Sequence, residues 1–130
     1  MGDYSPVYTG GAKPFTATTS GVVTGGRVVH VSGNGTVAHG TAATTVAVGV
    51  AAHDAASGAK VTVWPLEGVI HELEAAGAIT AAGGVQVAAN GQVDAVATSI
   101  AAGSAAGTLI GHALTTAAGS PLKLRVQGRR

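Results

Sequence analysis

The chain of 130 residues has no cysteine and very few aromatic or charged side chains. It holds one tryptophan, one phenylalanine and two tyrosines, and charged residues make up 10% of it. Without cysteine the protein forms no disulfide and no thiolate metal site. The formal net charge of +1 provides no basic face of the kind that nucleic-acid binding requires, so no nucleic-acid partner is expected.

Long apolar runs and targeting signals are missing as well. No stretch of about 18 apolar residues runs without glycine or polar interruptions, so the sequence predicts no membrane span. The segment Met1–Pro14 shows no basic region followed by an apolar one, so no signal peptide is expected. We therefore expect a soluble protein made in the cytoplasm of its host.

Small apolar residues dominate what is present. Hydrophobic residues make up 46%, the chain has 21 glycines, and its length suits a single domain. Each buried alanine or valine removes little area from water, at about 25 cal/mol per Å². The core is therefore thin, and burial at a subunit or partner interface would supplement it.

Two stretches of the chain are related. The segment SGVVTGGRVVHVSGNGTV at 20–37 aligns without a gap on AGAITAAGGVQVAANGQV at 76–93, with seven of eighteen positions identical. Both contain the pattern Val-x-Val-x-x-Asn-Gly-x-Val. This similarity indicates two versions of one β unit rather than a long repeat array.

The similarity continues downstream. VGVAAHDAASGAKVTVW at 48–64 resembles IGHALTTAAGSPLKLRV at 110–126, which pairs Gly49 with Gly111. A one-residue slip then places Val61 and Val63 on Leu122 and Leu124. The sequence thus predicts an internal repeat of 20–64 and 76–126.

The predicted fold class is all-β, a small barrel or sandwich of about ten short strands. Asn34-Gly35 and Asn90-Gly91 favour hairpins with type I′ turns. The alanine-rich stretch Ala101–Ala106 suggests a helix, but frequent glycines argue against a long one. Glu67–Ala76 is compatible with either a helix or a strand.

Three regions are expected along the chain. Residues 1–14 form an extended N-terminal arm, residues 15–127 form a single β domain, and residues 128–130 form a C-terminal tail. The arm lacks core periodicity yet concentrates tyrosine and proline, which favours contact with a partner. The candidate contact residues are Tyr4, Pro6, Tyr8, Pro14, Phe15 and Trp64, and Trp64 suits either the core or an interface.

No constellation of catalytic or metal-binding residues emerges. The five histidines His30, His39, His53, His71 and His112 lack the spacing of paired metal ligands. His53, Asp54 and Ser57 contain the residue types of a triad, but a triad normally draws on separated segments. We therefore expect no catalytic, metal or cofactor site, and no enzymatic activity.

The order of several segments resembles the small capsid decoration proteins of tailed bacteriophages, also called head-stabilising or cement proteins. These segments are GVVTGGRVV, VGVAAHDAASGAKVTV, Glu67-Gly68-Val69, IGHALTTAAG and the closing LKLRV. The similarity covers residues 15–127. Its motifs are structural turns and strands rather than catalytic signatures.

The resemblance implies a structural virion protein. Such proteins bind the major capsid protein on the outside of the head, often as trimers, and strengthen the shell against internal DNA pressure. The alternatives are another virion or fibre component, or a bacterial surface-binding β module. The last of these would need exposed aromatic platforms, and few aromatics are available.

Overall fold

The computed structural model describes residues 4–96 and 100–129. Ten strands fall in these ranges, with one short helix, so the predicted all-β class is confirmed. The strands of the first half are β1 (Phe15–Thr19), β2 (Val28–Gly33), β3 (Thr36–His39), β4 (Ala47–Ala51) and β5 (Lys60–Pro65). Those of the second half are β6 (Ile70–Glu74), β7 (Gly84–Val87), β8 (Val93–Ala95), β9 (Gly111–Ala113) and β10 (Lys123–Gly128), with helix α1 (Ile100–Ala106) between β8 and β9.

The first half closes into a barrel in the order β1-β3-β2-β4-β5, because β5 pairs back onto β1. We call it the first barrel because it is formed by the first half of the chain. The second half is a sheet in the order β6-β10-β9-β7-β8. If β6 to β10 are matched in turn to β1 to β5, the order of the second sheet becomes β1-β5-β4-β2-β3. This is the order of the closed barrel read from β1 in the opposite direction. The first barrel closes through parallel pairing of Thr19 with Val37, and a parallel bridge joins Ala75 to Val93 at the corresponding place.

This shared strand order supports the internal repeat, which we retain as a proposal. The ladders also correct the alignment of the final strand. Ala51 pairs with Val63, and Ala113 pairs with Val126, so Val63 corresponds to Val126 rather than to Leu124. A shift of two residues leaves the inward and outward phase of a strand unchanged, so alternation alone does not reveal the error.

The two Asn-Gly pairs do not form the same turn. Asn34-Gly35 joins β2 to β3, but only Gly35 has a positive φ, 74°, so the predicted type I′ turn is wrong there. Asn90 and Gly91 both have positive φ, 58° and 72°, within a longer loop that contains a short 3₁₀ segment, Ala89–Gly91.

Helix α1 forms in the alanine-rich stretch whose frequent glycines predict that any helix is short. It is seven residues long. Gly103 lies inside it, and a Cβ there would come within 2.8 Å of Val96 Cγ1. Glycine thus lets the helix approach the end of the second sheet. The ambiguous stretch Glu67–Ala76 contains strand β6 and not a helix.

The apolar side chains form two cores that share strands β2 and β4. Val29 and Ala51 point into the first barrel, whereas Val28 and Val50 pack with the second half. Successive residues of a strand face opposite sides, so these strands are buried on both faces. The second half therefore covers the outer wall of the barrel where β2 and β4 lie.

The described residues near both ends of the chain pack on the body. Tyr4 N–H donates to Ala52 O, and Tyr8 forms an antiparallel bridge with Ile70. At the other end Gly128 belongs to β10, and Arg129 N–H donates to Ile110 O at 2.8 Å. The expected tail thus contributes strand structure at Gly128, while residues 1–3 and 130 lie outside the described residues.

Candidate functional site

An apolar depression, which we call the mouth, opens at one end of the first barrel. It has a volume of about 270 Å³. Its lining residues come from β1 to β4 and the β2–β3 hairpin: Phe15, Thr16, Ala17, Val31, Gly33, Gly35, Thr36, Val37 and Val48. None of these side chains carries a charge.

The mouth exists because β1 and β3 pair over only part of their length. β1 pairs with β5 from Phe15 to Thr18, but its pairing with β3 involves Thr18 and Thr19. A gap is left beside the beginning of β1. Phe15 and Val31 border it with 42% and 47% of their surface exposed, although they are the apolar side chains that would continue the barrel interior.

The corresponding positions in the second half are covered. Counting 56 residues along the chain matches Phe15 with His71 and Val31 with Val87, and both of these are 0% exposed. A Cβ on Gly40 would lie 2.6 Å from Val87 Cγ1, so the backbone of the first half sits directly on this valine. Ala43 N–H also donates to Val87 O at 2.8 Å.

The N-terminal arm covers His71. Tyr4 OH donates to His71 Nδ1 at 2.7 Å, and His71 Nε2–H donates to Pro65 O at 2.8 Å. Glu72 N–H donates to Tyr4 OH at 3.2 Å, and the two rings stack with centroids 5.8 Å apart. Every polar atom of the pair is thus bonded while His71 is neutral.

Burial shifts the proton affinity of both groups in this pair. It lowers the pKa of His71, because the charged imidazolium is costly away from water. It raises the pKa of Tyr4 far above its usual range for the same reason, since the phenolate is the charged form. The network therefore keeps both side chains neutral at physiological pH.

Three other histidines, His30, His39 and His53, bond backbone or hydroxyl groups. His39 Nε2 accepts from Thr24 N–H at 2.8 Å, and His30 Nδ1 contacts Thr44 Oγ1 at 2.8 Å. His53 lies between Asp54 O and Thr62 N–H, so backbone groups hold both of its nitrogens. Within 4–96 and 100–129, no group of three or more His, Asp or Glu side chains is arranged to hold a metal ion.

The predicted contact residues do not gather at one surface. Tyr4 is engaged with His71, and Pro6 is half-buried beside it in the chain. Tyr8 and Pro14 are exposed, and Trp64 is half-buried in β5. Of the six residues, Phe15 is the one that lines the mouth.

Sequence reasoning missed the valines of the mouth. Val31, Val37 and Val48 read as ordinary strand residues, yet all three line the mouth and Val31 is exposed. The signal lay in the repeat alignment, which places Val31 on Val87. What it could not show is that one copy of this valine is covered and the other is not.

These features define a class: a small all-β protein with an exposed, uncharged apolar depression at one end of a barrel. Residues 7–128 match the family model described as phage cement protein. Since the match spans nearly the whole chain, the chain belongs to this family. It is therefore a structural phage protein, as the resemblance in its sequence implied.

A solved structure supports the fold assignment. The N base of the head fiber gp8.5 of bacteriophage phi29 is similar, with a TM-score of 0.66 and 17% identity. The alignment covers 91% of this chain and 97% of that one. No curated protein matches the sequence. No helix among the described residues is long and apolar enough to cross a membrane.

Proposed function

We propose that the protein binds the outer surface of a phage head and stabilises the shell, acting without catalysis, metal or cofactor. The virion role follows from the family, and the contact with the major capsid protein is the proposed step. The observation that carries it is the open mouth. Phe15 and Val31 of the mouth are exposed, whereas their counterparts in the second half, His71 and Val87, are fully buried.

The chemistry of the mouth suits a protein partner. Interface centres are depleted in charged residues and enriched in apolar and aromatic ones, and Phe15, Val31 and Val48 meet that description. A clustered exposed apolar surface marks a contact site more often than scattered single residues do. The proposed occupant is an apolar segment of the major capsid protein.

The proposal includes a trimer formed by the β body, as the resemblance implied. In this proposal different residues of the arm have different roles. Tyr4 stabilises its own chain through His71, so it is unavailable to a partner, whereas Tyr8 and Pro14 remain exposed for contact with the capsid or an adjacent subunit. Deleting residues 2–13 would therefore uncover His71 as well as remove contacts.

A charge in the mouth tests the proposal. Val31→Asp places a carboxylate in the uncharged lining, and Leu122→Asp places one at a residue that is 53% exposed and outside it. Both proteins are added to purified heads that lack this protein, after circular dichroism has shown that each is folded. We expect Val31→Asp to bind roughly tenfold more weakly or worse, because binding would bury an unpaired carboxylate among apolar groups. A tenfold loss of affinity corresponds to about 1.4 kcal/mol.

Leu122→Asp is expected to bind like the wild type. Equal binding by the two variants and the wild type would show that the mouth is not the contact surface. Failure of the wild-type protein to bind heads at all would overturn the capsid assignment itself.

A second candidate is the base of a fibre, because the similar solved structure is the base of a head fiber. Cryo-electron microscopy of virions distinguishes the two functions. A low knob on the shell supports a cement protein, and a thin projection continuing from the knob supports a fibre base. A bacterial surface module would instead bind host cells in the absence of virions.

A further inference from the structure

The two Asn-Gly pairs occupy corresponding places in the two halves, but their surroundings differ. Asn34 and Gly35 are both exposed, and nothing lies within 4 Å of where a Cβ on Gly35 would be. Among the described residues, no hydrogen bond holds the Asn34 side chain or the Gly35 N–H. This pair is open to water, and no hydrogen bond has to break for its backbone to rotate.

Asn90-Gly91 is held from several sides. Gly91 is buried, and its N–H donates to Gly40 O at 2.9 Å. Arg27 Nη1 donates to Asn90 O at 2.9 Å. A Cβ on Gly91 would come within 2.5 Å of Val28 O, so the backbone of the first half packs against this loop.

We propose that Asn34 is a site of spontaneous deamidation and that Asn90 is protected from the same reaction. The deprotonated backbone nitrogen of Gly35 attacks Cγ of Asn34, the C–N bond of the side-chain amide breaks, and ammonia leaves. Water then opens the resulting succinimide at either carbonyl, which gives aspartate or isoaspartate. One water is consumed and one ammonia released, with no oxidant or reductant.

The structure explains why the two rates should differ. Ring closure needs the following nitrogen to lose its proton and to rotate towards the side chain. Gly35 has no side chain in the way and no hydrogen bond to break. Gly91 must first give up its bond to Gly40 and leave a packed site, so its reaction requires a local opening that costs free energy.

The location gives the reaction a consequence, which rests on the proposed function. Asn34 lies between Gly33 and Gly35, which both line the mouth. Deamidation adds a negative charge at the rim of an uncharged surface, and isoaspartate also lengthens the backbone of a two-residue turn. Free protein would thus lose capsid affinity as it ages, and docked protein would be shielded from water.

The chemical test uses the full-length protein. It is incubated at pH 8.5 and 37 °C over several weeks, digested, and analysed by mass spectrometry with isoaspartate methylation as a second readout. We expect Asn34 to convert roughly tenfold faster than Asn90, or more, because opening energies span a wide range within one fold. In urea-denatured protein the two sites are expected to convert at similar rates.

A folded protein in which Asn34 persists, or converts no faster than Asn90, overturns the proposal. Asn34→Gln is the control variant, because its longer side chain closes the corresponding ring far more slowly.

The functional test compares fresh and aged protein on purified heads. We expect aged wild type and fresh Asn34→Asp to bind more weakly than fresh wild type, and aged Asn34→Gln to bind as tightly as fresh Asn34→Gln. Conversion of Asn34 with no change in head binding would contradict the consequence drawn for the mouth and leave the modification site standing. Loss of binding by aged Asn34→Gln would show that another age-related change is responsible.

Discussion

The two halves of the molecule share a strand order, but they differ in the burial of the same end of their sheets. In the second half, His71 and Val87 lie under the arm and the backbone of the first half. In the first half, Phe15 and Val31 border an open mouth. One of these ends is thus covered within the chain and the other is open, and the proposed function assigns the open end to a partner.

The residue types at the matched positions fit this difference in burial. His71 tolerates complete burial because Tyr4 and Pro65 bond both of its nitrogens. Phe15 needs no polar partner, so another protein can cover it without leaving a hydrogen bond unsatisfied. The uncovered end is thus the one whose side chains suit an interface formed later.

The two loop glycines provide the largest expected contrast. Gly35→Ala and Gly91→Ala both place a side chain at positive φ, which costs about 1 kcal/mol. Alanine at 91 also meets Val28 O, where the two halves join. We expect a loss of roughly 3 kcal/mol for Gly91→Ala and about 1 for Gly35→Ala, measured by urea unfolding. Equal losses would contradict the difference in packing.

The matched valines should differ almost as much. Val87→Ala removes buried methyl groups beneath Gly40, and we expect a loss of about 2 kcal/mol. Val31→Ala removes half-exposed ones, and we expect about 0.5 kcal/mol or less. Thermal unfolding of both variants measures the contrast. A cost for Val31→Ala as large as that for Val87→Ala would show that the mouth is closed in the free protein.

Acid should destabilise the covered end. Because the pKa of His71 is lowered on folding, the unfolded chain takes up a proton near pH 6.5 while the native protein resists it. The neutral His71 therefore contributes fully to the free energy of unfolding at neutral pH. As the pH falls below about 6.5, the free energy of unfolding decreases by at most about 1.4 kcal/mol per pH unit.

Urea unfolding of wild type and His71→Gln between pH 7.5 and 5 isolates this effect. The pKa of His39 is also lowered, by burial and by Arg27, so both proteins should retain a shared slope. A pH dependence that is identical in the two proteins would contradict the assigned role of His71.

The smallest expected effect concerns the ion pair between the halves. Arg27 Nη2 lies 3.2 Å from Glu74 Oε2, and both side chains are about one-quarter exposed. We expect Glu74→Gln to cost about 0.5–1 kcal/mol, with less effect in high salt. Glu67→Gln, at an exposed position, is the control and should be neutral. A cost that does not change with salt would indicate a loss of packing instead.

The sequence predicted the all-β class because alternating valines and Asn-Gly turns are local signals. It did not predict which copy of a matched position is buried, since Val31 and Val87 are the same residue and differ only in what packs on them. It also could not show that Tyr4 bonds to His71, a contact between residues 67 positions apart. The apolar mouth depends on such long-range packing and became visible only in three dimensions.

The most direct test of the central claim is a cryo-electron microscopy map of heads decorated with the wild-type protein, at a resolution that shows side chains. We predict that Phe15 and Val31 lie in van der Waals contact with the major capsid protein and that the second half faces outward or towards neighbouring copies. A map in which the mouth faces solvent, with the capsid contacting another surface, would contradict the account.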